Sequence, residues 1–382
     1  MSAMKFIGAL WVAIFCALLS HSALAGWTIY PFDGREYVSL DEIAAFYGFP
    51  KPPPVSAAAK PPPATLGVPP AAPARSRATV ATEFGLALRD IVDPDAKPIT
   101  LDSGAMQLEI TPGAREARIN GVKQWLAFPV HQEGDKILIS RLDLSKVIEP
   151  RLRPELIAGF QPVTTVVLDP GHGGHDNGAP SRYGYEKDFA LDVALRARKL
   201  LEALHYKVVM TRTTDVFIPL DQRPAPANHL PGAIFISIHF NSSSSNLEAR
   251  GFEIFSMAPR GVPATNDALP RERDLRTEPG NNSELQSSAL AGSVYNSLLG
   301  QVPMEDRGLK YARFAVLRLC STPAVLVECG FMSNNAESAL VGTGIWRQHV
   351  AEALADGVEN YKLLCEKKQR PKVLADYRRA AK

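Results

Sequence analysis

The sequence predicts an α/β protein in which a largely parallel sheet flanked by helices forms a C-terminal domain, preceded by a small α+β module. Apolar runs at 166–168, 233–238 and 324–327 lack the alternation of half-exposed strands and indicate strands buried on both faces. An amphipathic helix pattern at 188–204 follows the first run. A proline- and alanine-rich stretch at 50–78 separates this region from the N-terminus. Apolar strands that alternate with helices are typical of βαβ units, which is the basis of the fold-class prediction.

The N-terminus has the pattern of a secretory signal peptide, which we assign to residues 1–25. Lys5 precedes an uncharged apolar stretch, 6–19, that is shorter than the roughly 20 residues of a membrane-spanning helix. The tripeptide at 23–25 then matches an A-x-A cleavage site. We therefore expect the mature chain to begin at Gly26, to be secreted to the periplasm or cell envelope, and to contain no membrane span. An uncleaved membrane anchor is the alternative.

Residues 26–149 are predicted to form the α+β module, interrupted by the Pro/Ala-rich segment 50–78. Ser39, followed three residues later by Glu42, has the spacing of a helix capping box. Short strand-like runs separated by turn residues follow at 106–110, 116–119 and 136–139. The sequences YVSLDEIAAFYG and INGVKQWLAFPV…ILISRLDL resemble the copper amine oxidase N-terminal-like domain found ahead of some cell-wall hydrolases. No copper site follows from the resemblance. We expect the module to be a targeting or docking domain, with a purely structural spacer as the alternative.

The C-terminal part of the chain is predicted to contain a linker (150–163), one large domain (164–365) and a basic tail (366–382). Within the domain, the predicted strands are 166–168, 208–210, 233–238, 252–255 and 324–327, and the predicted helices are 188–204, 285–299 and 346–363. The tail is expected to be solvated, with contact to anionic wall polymers or lipid as the alternative. The whole chain has 42 basic and 40 acidic residues, a formal net charge of +2, so its charge calls for no nucleic-acid partner.

Polar side chains follow three of the predicted inner strands at the points where those strands end. His172 lies in the glycine-rich sequence after the first strand, His239 follows the strand at 233–238, and Glu328 ends the last strand. Because the carboxyl ends of parallel strands meet at one edge of a sheet, these side chains are expected to converge. Glycines beside His172 fit a sharp turn that leaves room for a ligand.

Two histidines and a carboxylate in one crevice indicate a zinc site. Catalytic zinc takes three protein ligands and keeps one position for water. Glu186, at the start of the first long helix, is the best candidate for a third ligand beside His172 and His239. Taken singly, each residue is more often structural, since a glutamate at a helix N-terminus usually interacts with the helix dipole. Glu328 follows an apolar run, and burying its charge there costs free energy unless it is paired or close to a metal. The joint placement of these four residues therefore favours a functional site.

Five sequence blocks carry a specific resemblance: VVLDPGHGGHDNGA, GYEKDFALDVA, VVMTRTTDVFIPLDQR, FISIHFNSS and PAVLVECGFMSN. In order and content they resemble the zinc-dependent N-acetylmuramoyl-L-alanine amidases of the third amidase family. The resemblance implies that His172, Glu186 and His239 bind zinc and that Glu328 is the catalytic carboxylate. It also implies hydrolysis, by zinc-activated water, of the amide between N-acetylmuramic acid and the L-alanine of the peptidoglycan stem peptide. Such a hydrolase would serve cell-wall remodelling or daughter-cell separation.

Several alternatives stay open at this point. A zinc peptidase acting within the stem peptide would use the same chemistry, and a non-catalytic cell-wall-binding protein could share the fold. Arg212 or Arg223 is a candidate for binding a stem-peptide carboxylate. Some relatives carry an autoinhibitory helix, relieved by an activator protein, in the region of residues 258–284, where the prolines of this chain argue against a full helix. A loop covering the crevice and an activator protein therefore both stay open as alternatives. The protein is expected to act on peptidoglycan as a monomer.

Overall fold

The computed structural model describes residues 26–54, 96–267, 270–366 and 371–380, so the predicted signal peptide, 1–25, lies outside the described residues, as does most of the Pro/Ala-rich segment. The strands are β1 (Tyr30–Phe32), β2 (Arg35–Ser39), β3 (Ile99–Asp102), β4 (Gln107–Ile110), β5 (Glu116–Ile119), β6 (Val122–Trp125), β7 (His131–Glu133), β8 (Lys136–Ser140), β9 (Thr165–Pro170), β10 (Pro180–Ser181), β11 (Gly184–Tyr185), β12 (Lys207–Met210), β13 (Ala233–Asn241), β14 (Phe252–Met257), β15 (Asp306–Ala312) and β16 (Ala324–Phe331). The α-helices are α1 (Leu40–Tyr47), α2 (Arg141–Asp143), α3 (Glu149–Leu152), α4 (Glu186–Ala203), α5 (Ala225–Asn228), α6 (Glu284–Gln301), α7 (Ala315–Arg318), α8 (Asn335–Val341), α9 (Gly344–Cys365) and α10 (Leu374–Ala380). None of the helices in the described part of the chain has both the length and the apolar character needed to cross a membrane.

The N-terminal residues form the small α+β arrangement that the sequence predicts. Strands β1, β2, β8 and β7 lie in that order in an antiparallel sheet. Helix α1 begins at the predicted cap, where the Ser39 hydroxyl accepts a hydrogen bond from the backbone N–H of Glu42 and donates one to its carboxylate. Gly48 ends the helix with a φ of 71°, a left-handed conformation that favours glycine.

A ten-stranded sheet runs through the rest of the molecule in the order β12-β9-β13-β16-β14-β15-β6-β5-β4-β3. The first four strands are parallel, as the continuous apolar runs predict. Strand β14 is antiparallel to β16 and parallel to β15, so the direction of the sheet reverses between β16 and β14. Strands β6 to β3 are antiparallel to one another. The predicted α/β fold with a largely parallel sheet in the C-terminal region is therefore confirmed.

Strand β15 was not predicted. Its sequence, DRGLKYA, contains three charged residues and a glycine instead of an apolar run. Leu309 nevertheless lies in the core on one face of the sheet, while Lys310 occupies the opposite face. The alternation is too short to stand out in the sequence, and the strand is recognisable only from its pairing with β14.

Three long helices, α4, α6 and α9, cover one face of the central sheet and form the largest apolar cluster with it. Helix α4 buries Val193, Ala197 and Leu201, as its predicted apolar stripe requires, whereas Leu204 lies just beyond the helix and is exposed. The other face is packed by the short helices α5 and α7, through residues such as Ala227. The two faces are therefore covered very unequally.

The N-terminal module and the C-terminal residues share the ten-stranded sheet. Leu309 of β15 pairs with Gln124 of β6, and Tyr311 packs in the apolar cluster formed by the module. Within 150–163, the predicted linker, Ile157 is buried in the main core. The division of the chain into domains stays a prediction. Because one sheet continues from the module into the C-terminal region, a fragment that lacks the module tests this division.

Part of the basic tail is not solvated, contrary to expectation. Helix α10 packs against α6, and its Leu374 and Tyr377 side chains are buried, while Arg378 is exposed. The Asn360 side chain also binds the backbone N–H and carbonyl of Lys372, at 2.6 and 2.9 Å. Two apolar residues three positions apart on one helix face are enough to dock this segment while its charges face the solvent.

A fragment of residues 164–365 tests the predicted domain division. All the predicted site residues lie within it, so we expect it to fold and bind the metal. Removing the module uncovers Leu309 and Tyr311, so the fragment should melt several degrees below the full chain, since about 2–4 °C corresponds to 1 kcal/mol in a domain of this size. Calorimetry and metal analysis measure both properties. An unfolded or metal-free fragment would make the module part of the catalytic core. An unchanged melting temperature would show that neither the shared sheet nor the docked tail helix, both absent from the fragment, adds stability.

Candidate active site

The loop after strand β9 brings His172 to the carboxyl edge of the sheet. A side chain at Gly171 would overlap the ring of His239, and one at Gly178 would overlap both Glu186 and His172. His172 itself has a φ of 58°, in the left-handed region. The glycines of this sequence are therefore required because the functional side chains approach the backbone closely.

Two buried arginines hold this loop from within the protein. Arg223, 2% exposed, donates hydrogen bonds to Asp169 Oδ1 (3.0 Å), to the Pro170 carbonyl (2.9 Å) and to the His172 carbonyl (2.8 Å). Arg212, 3% exposed, also donates to the Pro170 carbonyl (3.0 Å). The prediction that one of these arginines binds a substrate carboxylate is wrong, because their guanidinium groups are buried and bonded to the loop.

The structure brings His172, Glu186 and His239 together at this edge. His172 Nε2 lies 3.0 Å from Glu186 Oε1, and His239 Nδ1 lies 2.9 Å from the same oxygen. One candidate ligand atom from each residue lies within 4.8 Å of the others. Glu186 is the first residue of α4, so the helix begins where the chain returns over the strand ends.

The surroundings of Glu186 keep its carboxyl group ionised. The backbone N–H groups of Ala179 and Phe240 donate to its two oxygens at 2.9 and 3.0 Å. Burial raises its pKa, but hydrogen bonds and charge interactions with His172 and His239 outweigh burial and hold the pKa far below its usual range. Glu186 is therefore available as the charged carboxylate that a metal ion requires.

Asp176 orients His172, a role that the sequence analysis did not assign. Asp176 Oδ2 lies 2.9 Å from His172 Nδ1, so the other ring nitrogen faces Glu186. Burial lowers the pKa of His172, whereas the bonds to Glu186 and Asp176 raise it, and the net shift is upward. A carboxylate on the second ring nitrogen is the usual partner of a metal-binding histidine. The aspartate four residues after His172 was the sequence signal for this contact.

The donor set fits a divalent metal ion. Two imidazoles and one ionised carboxylate converge, and their nitrogen and oxygen atoms are the donors of three-ligand metal sites that keep a position open. The single carboxylate oxygen shared by both rings marks the point on which the three donors converge. His175 lies outside this set, since it is exposed and packs on Phe217 with ring centroids 4.3 Å apart.

Glu328 lies on strand β16 beside the histidine–glutamate cluster. In the sheet register it is opposite His239 on one side and Glu253 on the other. Its Oε2 atom is buried and has no hydrogen-bond partner among the described residues. Burial and the charges of Glu186 and Glu253 raise the pKa of Glu328 well above its usual range, against the opposing effect of Lys310. A rigid strand thus presents an unpaired carboxylate oxygen beside the candidate metal ligands.

A second buried carboxylate, Glu253 on β14, was also missed in the sequence. It accepts hydrogen bonds from Asn241 and Lys310 and from Arg307 at 3.3 Å. All of its charge is therefore matched by neighbouring donors, unlike that of Glu328. The available signal was a glutamate inside the apolar run FEIFSM, the same feature that pointed to Glu328.

Residues 258–284 do not cover this crevice in the part that the structure describes. Strand β14 is antiparallel to β16, so the segment leaves β14 at the sheet edge opposite the metal ligands. Ala258 and Val262 pack in the apolar cluster of the N-terminal module. The segment's helical structure among the described residues consists of two 3-10 turns, Glu272–Leu275 and Pro279–Ser283. An autoinhibitory helix over the site is absent from these residues.

The chain is similar to one known protein family and to several known proteins. The family described as N-acetylmuramoyl-L-alanine amidase matches residues 166–360. The amidase AmiC of Neisseria meningitidis serogroup B is 34% identical over 224 residues, which are 53% of this chain and 53% of that protein. AmiA of Escherichia coli K12 is 32% identical over 218 residues, 51% of this chain and 75% of that protein. The chain spans a little over half the length of the first curated relatives that it matches.

The chain is also similar to proteins of known structure. The amidase AmiC2 of Nostoc punctiforme is 32% identical, with 52% of this chain and 96% of that chain covered and a TM-score of 0.44. The catalytic domain of CwlV from Bacillus (Paenibacillus) polymyxa is also 32% identical, with 52% and 98% covered and a TM-score of 0.43.

Substitution of the two histidines tests the metal centre. His172→Ala and His239→Ala should each lose the single metal ion expected per chain, because two donors remain where catalytic sites use three. His175→Ala is the matched control and should retain the metal, since its ring lies on the exposed rim. Metal content after dialysis is measured by mass spectrometry. Full occupancy in either of the first two variants would remove that histidine from the ligand set.

Substitution of Arg223 tests whether the buried arginines stabilise the loop after β9. Arg223→Met leaves the buried Asp169 without its ion-pair partner and with hydrogen bonds from the hydroxyl groups of Thr211 and Ser237, and breaking a buried ion pair on one side costs about 3–5 kcal/mol. Adding Asp169→Asn should recover part of the loss, because the uncompensated charge disappears. Free energies of unfolding from denaturant titration give both values. A loss below about 1 kcal/mol for Arg223→Met would show that the pair does not stabilise the loop.

Proposed function

The chain belongs to the N-acetylmuramoyl-L-alanine amidase family, and from this we propose that it hydrolyses the amide between N-acetylmuramic acid and the L-alanine of the peptidoglycan stem peptide. The observation that carries the proposal is the convergence of His172, Glu186 and His239 beside Glu328 at one edge of the sheet. Three metal donors next to an unpaired carboxylate are the groups needed for hydrolysis of an unactivated amide.

We propose zinc as the metal, held by His172, Glu186 and His239. When bound, zinc would lower the pKa of a coordinated water towards about 7 and polarise the carbonyl of the substrate amide. The protein's part is to fix the donors before the substrate arrives. Asp176 holds the ring of His172 in one orientation, and two backbone N–H groups hold the Glu186 carboxylate. Pre-oriented donors of this kind raise metal affinity and limit the movement needed during reaction.

Glu328 is the proposed proton carrier. Its unpaired Oε2 would accept a proton from the attacking water and pass it to the nitrogen of the leaving L-alanine. The unpaired oxygen supports this role, because a carboxylate oxygen without a hydrogen-bond partner is free to exchange a proton with a water molecule beside it. The position of Glu328 on an inner strand limits its movement between the two transfers.

The remaining assignments follow from this reaction. Residues 164–365 are the proposed catalytic domain, and 26–149 a docking module or spacer. The substrate lies in the cell wall, so secretion to the periplasm or cell envelope is part of the proposal. An activator protein, if one acts on this enzyme, would need a mechanism other than displacing the described part of 258–284 from the crevice.

Product analysis tests the reaction. The zinc-loaded protein is incubated with purified peptidoglycan, and the soluble products are identified by mass spectrometry. Complete stem peptides with a free L-alanine amino group, together with peptide-free glycan, are expected. Peptides cut between stem residues would instead identify a peptidase, and unchanged peptidoglycan with demonstrated binding would identify a non-catalytic wall-binding protein.

Glu328→Gln separates the proton carrier from the metal ligands. The variant should keep its zinc, because His172, Glu186 and His239 are unchanged, while hydrolysis should fall by about 10²–10⁴-fold, the typical value of general acid–base catalysis. Zinc content and product formation are measured on the same preparation. Near-normal hydrolysis would exclude Glu328 as the base. Loss of zinc would make Glu328 a ligand and reopen the role of Glu186.

A further inference from the structure

A cavity lies where four parts of the chain meet: strands β5 and β6 of the N-terminal module, residues 150–154, helix α6 and residues 371–373. Leu309 of β15 also lines it, so it lies on the face of the sheet that the long helices cover. Its volume is about 60 Å³, and a single water needs about 10–15 Å³. The cavity therefore has room for several waters or for one ion of a few heavy atoms. It shares no lining residue with the candidate active site.

The lining of this cavity carries positive charge without a matching carboxylate. Arg151 and Lys372 are its two charged residues, and no aspartate or glutamate among the described residues lines it. The Asn360 side chain binds the backbone of Lys372 on both sides of the residue, which fixes this part of the wall. The charge of the cavity thus favours an anionic ligand over a cation.

Arg151 keeps free hydrogen-bond donors at the cavity. Its Nε atom donates to the side-chain oxygen of Gln124 at 3.2 Å. Its terminal nitrogens, Nη1 and Nη2, have no hydrogen-bond or ion-pair partner among the residues that the structure describes, and protein atoms do not seal them off. The guanidinium group lies against α6 at Gly292, where a Cβ atom would overlap Nη1. The absence of a side chain at Gly292 is what admits the charged group to this place.

The charge of Arg151 lacks a partner, whereas that of a neighbouring arginine is paired. Arg153 binds the carboxylate of Glu149 at 2.7 Å. Burial lowers the pKa of Arg151 to about 10, although its interaction with Tyr311 raises it, so the guanidinium is still charged near neutral pH. Removing a charge from water costs free energy that a counter-charge offsets. An anion from outside the chain would supply the missing counter-charge.

Two neutral donors on α6 lie beside Arg151. Ser293 and Asn296 line the cavity, one residue and one helical turn after Gly292. The Oδ1 atom of Asn296 is enclosed by protein without a partner, so its amide offers only the NH₂ group to a ligand. The Ser293 hydroxyl has no hydrogen-bond partner among the described residues. These groups can donate to a ligand oxygen, in the same sense as the guanidinium.

We propose that the cavity binds a small oxyanion such as phosphate, with Arg151 as its counter-ion and Ser293 and Asn296 as neutral donors. The planar guanidinium group suits this role because two of its N–H groups can bond two oxygens of one oxyanion. The bound ion would connect the module, residues 150–154, α6 and residues 371–373, since all four line the cavity. The proposal is independent of the proposed function, because no residue of the candidate active site takes part.

Thermal unfolding of the full chain in phosphate tests the site. A ligand that binds only the folded protein stabilises it, so phosphate at roughly five times its dissociation constant should raise the melting temperature by about 2–4 °C over sodium chloride of equal ionic strength. Arg151→Met should abolish this increase, whatever its own melting temperature. Arg250→Met removes an exposed arginine that is already paired with Glu305, and it should keep the increase. An equal increase in Arg151→Met would overturn the proposal.

Equilibrium dialysis with radioactive phosphate measures the binding itself. One ion per chain is expected. Arg151→Met should weaken binding by roughly 10–100-fold and Asn296→Ala by roughly 2–10-fold, the values for a charged and a neutral hydrogen bond. His172→Ala should bind phosphate like the wild type, because the metal ligands lie outside the cavity.

Two results of the dialysis would overturn the proposal. Binding that is lost in His172→Ala and kept in Arg151→Met would place the ion at the metal ligands. No bound phosphate in the wild type would leave only water as the occupant of the cavity. Glycerol 3-phosphate in the same apparatus distinguishes two sources of a bound oxyanion. Binding of inorganic phosphate alone supports a free ion, and equal binding that depends on Arg151 supports the phosphate end of a larger molecule.

Discussion

The carboxylate of Glu186 is the contact on which the candidate site depends. One of its oxygens lies within hydrogen-bond distance of both His172 and His239, which come from the ends of two different strands. Its position is set by the first turn of α4, and two backbone N–H groups hold it there. Because an ionised carboxylate is stable in this buried place only with such partners, the helix, the glycine-rich loop and strand β13 are constrained together. The loop is constrained from its other side by the buried Arg223–Asp169 pair.

The sheet register brings two glutamates side by side, and their surroundings give them opposite properties. Like charges directly opposite on neighbouring strands destabilise a sheet unless they are compensated. Lys310, Arg307 and Asn241 all bond to Glu253, so that carboxylate is satisfied. Glu328 keeps an unpaired buried oxygen and a raised pKa. Compensation of one carboxylate leaves the other available for proton transfer, which is the role proposed for it.

The continuous sheet joins the module, which contains no predicted catalytic residue, to the region of the candidate site. Strand β6 extends the sheet beside β15, and the tail helix α10 docks on the helical face. Docking by sheet extension positions the module through backbone hydrogen bonds, which set the register of every side chain on the shared face. The contact between Lys310 and the Trp125 ring exists only because β15 and β6 are adjacent.

The sequence by itself determined the fold class, the inner strands and long helices, and the set of residues that meet at the sheet edge. These are local properties, because apolar runs and helical periodicity are visible within short windows and parallel strands end at one edge. The roles of His172, Glu186, His239 and Glu328 stay a proposal, although the structure places them together. Tertiary structure alone decided the direction of β14, the existence of β15 and the partners of Glu253, since each depends on which distant strand lies alongside. It also decided that Arg212 and Arg223 support a loop instead of binding a ligand, because burial and the partners of a long side chain are not encoded within the residues beside it.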